Sequence, residues 1–220
     1  IQSHFCLINL FDEIKIKKIK NRKDIVEFQG KFSNYVGKKN NTITDTLAIL
    51  RERNIISGSY SVLVNKKIPV FSGMGGGTSN AASLIKYFTK NKLNKSLFAI
   101  LNKKIGSDLK LFFYKQGFLK NLKTIKVFRR KYRLYFVLVY PNVRCTTKYI
   151  YSKVKKYSSK SKYNLNKIKN KSEFTDFIVN ENNDLQSIVE NKYPIIKNLI
   201  AEIQQKKGCY FSRMTGSGSV

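Results

Sequence analysis

The chain has 220 residues, 42% of them hydrophobic, and is strongly basic, with 43 Lys and Arg against 13 Asp and Glu for a formal net charge of +30. That length suits one large or two small domains with real cores, and no run of eighteen apolar residues reads as a membrane span. Cys6, Cys145 and Cys209 are odd in number and widely spaced, which argues against a disulfide framework or a zinc site and for a reducing cytoplasm.

In chain order, residues 1–11 are mildly apolar but are followed, not preceded, by Lys15, Lys17, Lys18 and Lys20, unlike a signal peptide. Residues 5–14 read as a strand, and the single histidine, His4, as a surface or packing residue rather than a catalytic one. Ile43, Leu47 and Leu50 place an apolar stripe on a helix over 42–53, and residues 60–64 read as a strand. Leu97, Ile100 and Leu101 predict a helix over 96–105 that Gly106 ends. Residues 132–140, rich in Leu, Val, Tyr and Phe, predict a buried strand stopped by Pro141, and the lysine-rich stretch 153–172 predicts loop or a loose, solvated helix. Pro194 suits the first position of a helix carrying Ile195, Ile196, Leu199, Ile200 and Ile203, capped by Gly208, after which 210–214 reads as a strand. Asn183, Asp184 and Leu185 read as a helix cap. Strands and helices mixed without strict alternation favour an α+β fold, and no internal repeat is visible.

The most telling stretch is Ile68-Pro69-Val70-Phe71-Ser72-Gly73-Met74-Gly75-Gly76-Gly77-Thr78-Ser79-Asn80-Ala81-Ala82-Ser83. Four glycines reach left-handed conformations cheaply and let backbone amides approach an anion. Thr78, Ser79 and Asn80 are favoured N-cap residues, and Ala81, Ala82, Leu84, Ile85 and Phe88 follow at helical spacing. A helix is therefore predicted to start at the loop, and its first amides and positive dipole end make a phosphate site. The hydroxyls of Thr78 and Ser79 are candidates to reach a phosphate oxygen or a magnesium ion. No Gly-Lys-Ser/Thr ends the loop and the spacing is not Gly-x-Gly-x-x-Gly, which sets aside the Walker A and dinucleotide-binding folds. On glycine content alone, a flexible loop with no ligand is an equal reading.

Those residues, from Pro69 through Gly73, Met74, Gly75, Gly76, Gly77, Thr78, Ser79 and Asn80, resemble the ATP-binding motif of the GHMP small-molecule kinases. Further blocks follow in the family's order: Ser3 to Ile14, Gly106-Ser107-Asp108, Pro141 to Thr147, Asn183-Asp184-Leu185, and Met214 to Ser219. The triple glycine followed by Thr-Ser-Asn-Ala-Ala is most similar to the branch that phosphorylates the 2-hydroxyl of cytidine-diphosphate methylerythritol in non-mevalonate isoprenoid (terpenoid) biosynthesis. The resemblance implies a two-domain GHMP kinase fold of α+β class: residues 1–130 as an ATP-binding domain of the ribosomal S5 domain 2-like type, and 131–220 as a ferredoxin-like C-terminal domain. It implies ATP with Mg²⁺, a small-molecule substrate, and Asp108 as the catalytic base. Read alone, an aspartate after a glycine is more often a turn residue. The family continues after this aspartate with Val-Pro, where Leu109 and Lys110 stand here. The lysines around Asp108 are expected to keep it ionised. Gly216, Ser217 and Gly218 match a second wall near the phosphates, and Thr146 and Thr147 a pair near the substrate.

In the same register, the family's Ser-x-x-Lys-Ile-Asn block with its catalytic lysine falls upstream of Ile1, and a final strand and helix fall beyond Val220. The chain is thus expected to be truncated at both ends, which leaves an inactive fragment or relic of such a kinase as an alternative. The charge offers another. From residue 109 to 172 there is no acidic residue, while Arg129, Arg130, Lys131, Lys153, Lys155, Lys156, Lys160 and Lys162 recur. Such a field attracts polyanions nonspecifically and would suit a basic nucleic-acid-binding module. The lysines are dispersed among Asn, Ile, Tyr and Phe, however, a mixture typical of drift under an A+T-rich genome.

Overall fold

The computed structural model describes residues 2–37, 39–122, 124–128, 131–159 and 168–220. Arg129, Arg130, Lys160 and Lys162 of the basic stretch lie outside them. The chain divides into two compact units, one of residues 3–70 with 75–127, the other of 71–74 with 128–220.

In the first unit, strands β1 (Ser3–Cys6), β2 (Glu13–Ile19) and β3 (Ile25–Gln29) precede helix α1 (Thr42–Glu52) and strand β4 (Ser59–Asn65). Helices α2 (Gly76–Thr89) and α3 (Lys95–Ile105), a 3-10 segment Ser107–Phe113, and strands β5 (Gln116–Asn121) and β6 (Thr124–Val127) complete it. Among the described residues the strands form two three-stranded sheets, in the orders β1-β5-β6 and β2-β4-β3. β4 runs antiparallel to β2, with Ile16 opposite Val62, and parallel to β3, with Val26 opposite the same Val62. Along β2, Ile14 and Ile16 face inward and Lys15 and Lys17 outward, the period-2 alternation of a half-buried strand.

The single strand expected over 5–14 is two strands in different sheets. β1 pairs with β5 and β2 with β4, so residues 7–12 must leave one sheet to reach the other. The core forms where α1, α2 and α3 lay their apolar stripes on β4: Ile43, Leu47, Leu50, Val62, Val64, Leu84, Ile85, Leu97, Leu101 and Leu109 are buried together. α1 starts in a capping box, Asn41 Oδ1 accepting from the amides of Ile43 and Thr44 at 3.0 and 3.1 Å while Thr44 Oγ1 accepts from Asn41 N at 3.0 Å. Asn94 caps α3 in the same way, accepting from Leu97 N at 2.8 Å, and Gly106 ends that helix at φ 129°. His4 packs on the Phe118 ring, centroids 4.6 Å apart.

The second unit carries helices α4 (Thr147–Ser152), α5 (Lys171–Val179), α6 (Gln186–Lys192) and α7 (Pro194–Gln204) around a cluster of Cys145, Ile150, Leu185, Val189, Ile196 and Met214. Pro194 opens α7 as expected, but the helix ends at Gln204, short of Gly208, and Ile195 points to solvent. Part of the lysine-rich stretch is helical: Asn170 Oδ1 accepts from Glu173 N at 2.9 Å to start α5, and the Arg213 guanidinium donates to the carbonyls of Ile178 and Val179 at the other end. Neither 132–140 nor 210–214 pairs as a strand; Tyr135 and Val137 are 76% and 87% exposed. β-rich composition makes a strand only when a neighbour takes up its backbone groups, and none does so here among the described residues. No described helix is long and apolar enough to cross a membrane.

Candidate active site

The glycine loop is assembled in two pieces. Its second half belongs to the first unit, where α2 starts at least three residues earlier than its sequence signals suggest. The cap is Gly75, left-handed at φ 68° and ψ 26°, so Thr78, Ser79 and Asn80 lie inside the helix instead of capping it. A left-handed glycine turns the chain more sharply than a Ser or Thr cap, and the flanking glycines allow that turn to form upstream. Ser79 N donates to Gly75 O at 2.9 Å, the first intrahelical bond. The amides of Gly76, Gly77 and Thr78 therefore have no intrahelical acceptor and carry the positive end of the helix. Among the described residues, the hydroxyls of Thr78 and Ser79 engage no protein partner, which leaves them available to an oxygen ligand.

Three contacts fix this start. Thr42 Oγ1 donates to Gly77 O at 2.8 Å, tying α2 to the first turn of α1. A Cβ on Gly76 would lie 2.9 Å from Ile68 Cγ2, and one on Gly75 would lie 2.8 Å from Phe112 Cζ. Phe112 belongs to the 3-10 segment that carries Asp108, so the glycine at the cap is what lets the Asp108 segment lie against the loop. Lys86, further along α2, holds the same segment by donating to Phe112 O at 2.7 Å, with its ammonium over the Phe113 ring.

Asp108 follows Gly106 and precedes Leu109, whose side chain is wholly buried in the core and pins the segment. The Asp108 side chain keeps solvent access, yet crowding by its surroundings raises its carboxyl above the ordinary range, partly offset by the Ser107 hydrogen bond and the Lys110 charge. Lost hydration outweighs the Lys110 charge in setting the direction of this shift, so the neighbouring lysines are not the dominant influence on the carboxyl, and burial pushes the Lys110 ammonium down.

The loop's first half, Phe71 to Met74, belongs to the second unit. A Cβ on Gly73 would lie 2.2 Å from Thr215 O and one on Gly216 would lie 2.6 Å from Gly73 O, so backbone meets backbone with no room for side chains. Beside this contact Thr147 and Ser217 share a hydrogen bond of 2.9 Å between their hydroxyls, Thr146 being the residue before α4. Asn183 Nδ2 donates to the carbonyls of Met214 and Gly216 at 2.9 and 2.8 Å, while its Oδ1 accepts from Leu185 N. This block thus holds the Gly216 turn as well as leading into α6.

Sequence reasoning passed over Asp12, Lys66 and Phe112. The Asp12 side chain is wholly buried and pairs with that of Lys66, itself 3% exposed. Its other partners are the amides of Lys67 and Ile68 at 2.7 and 2.9 Å and Asn80 Nδ2 at 2.8 Å. A signal was available: Lys66 stands three residues before Pro69, at the entrance to a phosphate-like loop.

Residues 168–220 match the family described as GHMP kinases C terminal. The chain is 35% identical to the 4-diphosphocytidyl-2-C-methyl-D-erythritol kinase of Pelagibacter ubique (strain HTCC1062), the match covering 100% of this chain and 78% of that protein. It is 32% identical to the enzyme of the same name from Buchnera aphidicola subsp. Schizaphis graminum, covering 100% and 74%. A crystal structure of 4-(cytidine 5'-diphospho)-2C-methyl-D-erythritol kinase superposes with a TM-score of 0.66 at 21% identity, covering 99% of this chain and 78% of that one.

Proposed function

The chain belongs to the 4-diphosphocytidyl-2-C-methyl-D-erythritol kinases and carries the α+β GHMP kinase fold, and we propose that it transfers the γ-phosphoryl group of ATP to the 2-hydroxyl of 4-diphosphocytidyl-2-C-methyl-D-erythritol, in isoprenoid biosynthesis. The observation that carries this reading is the start of α2, where three unpaired amides and two unengaged hydroxyls sit beside the segment that bears Asp108.

Phosphoryl transfer asks a protein for positioning and charge stabilisation more than for covalent chemistry. The loop from Gly73 and Met74 to Asn80 holds the ATP phosphates, its backbone amides donating to their oxygens, with buried Pro69 setting its entry. In the second unit Gly216, Ser217 and Gly218 back the Gly73 end of the loop, and they and the hydroxyls of Thr146 and Thr147 are assigned to the phosphate side of the substrate. Asp108 takes the proton of the attacking hydroxyl, and its raised pKa makes it a stronger base for that task than an ordinary carboxylate.

Thr78 and Ser79 fit a magnesium ion as hydroxyl ligands, and no cluster of three or more acidic, His or Cys side chains suited to hold a metal occurs among the described residues. The donors available here therefore match a cation held mainly by the nucleotide. When bound, such a cation neutralises phosphate charge.

The test is ADP release by the full-length gene product with ATP and the cytidyl substrate. Asp108→Asn is expected to lower kcat by at least about 10²-fold. In the unaltered protein kcat falls on acidification through a pKa above the ordinary aspartate range, and that limb disappears in the variant. Equal turnover by both proteins would remove Asp108 from the role of base, and no substrate-dependent ADP release by the unaltered protein would overturn the assignment of function.

A further inference from the structure

We infer that Asp12 is the positioning residue of the nucleotide loop, acting through Lys66, Ile68 and Asn80 rather than by touching ligand. The inference rests on the reading of that loop as the ATP site.

Asp12 lies in the 7–12 crossing between the two sheets, one residue before β2. A carboxylate has room for about four donors, and this one receives four. Oδ1 accepts from the amides of Lys67 and Ile68 at 2.7 and 2.9 Å, and Oδ2 from Asn80 Nδ2 at 2.8 Å and from the Lys66 ammonium. The Lys and Ile donors belong to the stretch that leaves β4 and enters the loop, whereas Asn80 lies on α2 just past the loop. One buried side chain therefore holds both feet of the residue 69–79 excursion.

Lys66 extends the same hold, since its ammonium is 3.4 Å from where a Cβ on Gly76 would stand, at the first residue of α2. The helix start cannot shift along its axis or tilt without stretching the Asn80 hydrogen bond, and the loop entrance cannot slide without breaking the two hydrogen bonds from the Lys67 and Ile68 amides. Aim of the first-turn amides is what a phosphate site depends on, so this carboxylate sets nucleotide affinity from behind the loop. Asn80, on this geometry, serves the loop through its side-chain bond to Asp12.

Asp12→Asn keeps the volume but offers an amide to donors and leaves Lys66 without its counter-charge. With folding checked by circular dichroism, KM for ATP is expected to rise at least about tenfold while KM for the cytidyl substrate stays within about twofold. Exchanging the two groups in Asp12→Asn/Asn80→Asp restores an amide-to-carboxylate bond and returns a carboxylate to the pocket, so KM for ATP returns to within about threefold of the unaltered protein.

A folded Asp12→Asn protein with unchanged KM for ATP, or with both KM values raised together, overturns the inference. Should that variant not fold, the exchange decides: an exchanged protein no better than Asn80→Asp alone overturns it. Absence of ATP-dependent turnover in the unaltered protein would instead overturn the functional assignment on which the inference rests.

Discussion

Gly75 and Gly77, two residues apart, are expected to respond to alanine with opposite signs. Gly75 is left-handed at φ 68°, where an L-residue costs about 1–2 kcal/mol. Its new Cβ would lie 2.8 Å from Phe112 Cζ and 3.3 Å from Cε2, and forcing that ring aside costs about 1–3 kcal/mol more. Together Gly75→Ala is destabilising by about 2–5 kcal/mol. Gly77 lies within the first turn of α2 without a positive φ, and its Cβ would meet only Thr42, at 3.5 and 3.8 Å, ordinary contact distances. Replacing it stiffens the unfolded chain and favours helix, so Gly77→Ala is stabilising by about 0.5–1 kcal/mol.

Urea denaturation followed by circular dichroism reads both, with similar m-values as the check that each unfolds alike. Phe112→Leu in the Gly75→Ala background recovers part of the loss, because the shorter side chain withdraws the atoms that the methyl meets. A Gly75→Ala protein within about 1 kcal/mol of the unaltered one, or a Gly77→Ala protein that is the less stable of the two, would refute the close packing of the Asp108 segment on the loop.

The His4 imidazole, packed on Phe118, is lowered by burial from 6.5 to about 4. A depressed pKa contributes stability that is whole above pH 6.5 and is lost as pH falls through 4, by up to about 3 kcal/mol; His4→Phe should flatten that window, and an unchanged pH profile would discount the buried imidazole as its source. In the second unit Asn183→Ala removes two donations to carbonyls and costs about 1–3 kcal/mol. Asn183→Asp is expected to be worse in urea denaturation, since a carboxylate would face both carbonyls, and the reverse ranking would contradict the hydrogen-bond assignment.

Helices α1, α3 and the start of α7 were readable from the chain because their signals are local: stripes at 3.6-residue spacing and Pro194 at the first position. The helix start after the glycine loop was readable for the same reason, glycines followed by small polar residues needing no distant partner to suggest it. The strand expected over 132–140 does not form, since β propensity counts only where another strand completes the backbone pairing. Charge was misleading in a similar way at Asp108, where sequence shows the neighbouring lysines but not the packed atoms that displace water.

By itself, then, the sequence determined the α+β character, the core stripes of α1 and α3, and a kinase-like loop in register with Asp108. Tertiary structure decided which end of that loop each glycine serves: Gly75 yields to Phe112, Gly73 to Thr215, and Asp12 bonds Lys66 and also Asn80, 68 residues further along the chain than itself. A buried carboxylate finds its donors through space, and no spacing along the chain records where they will be.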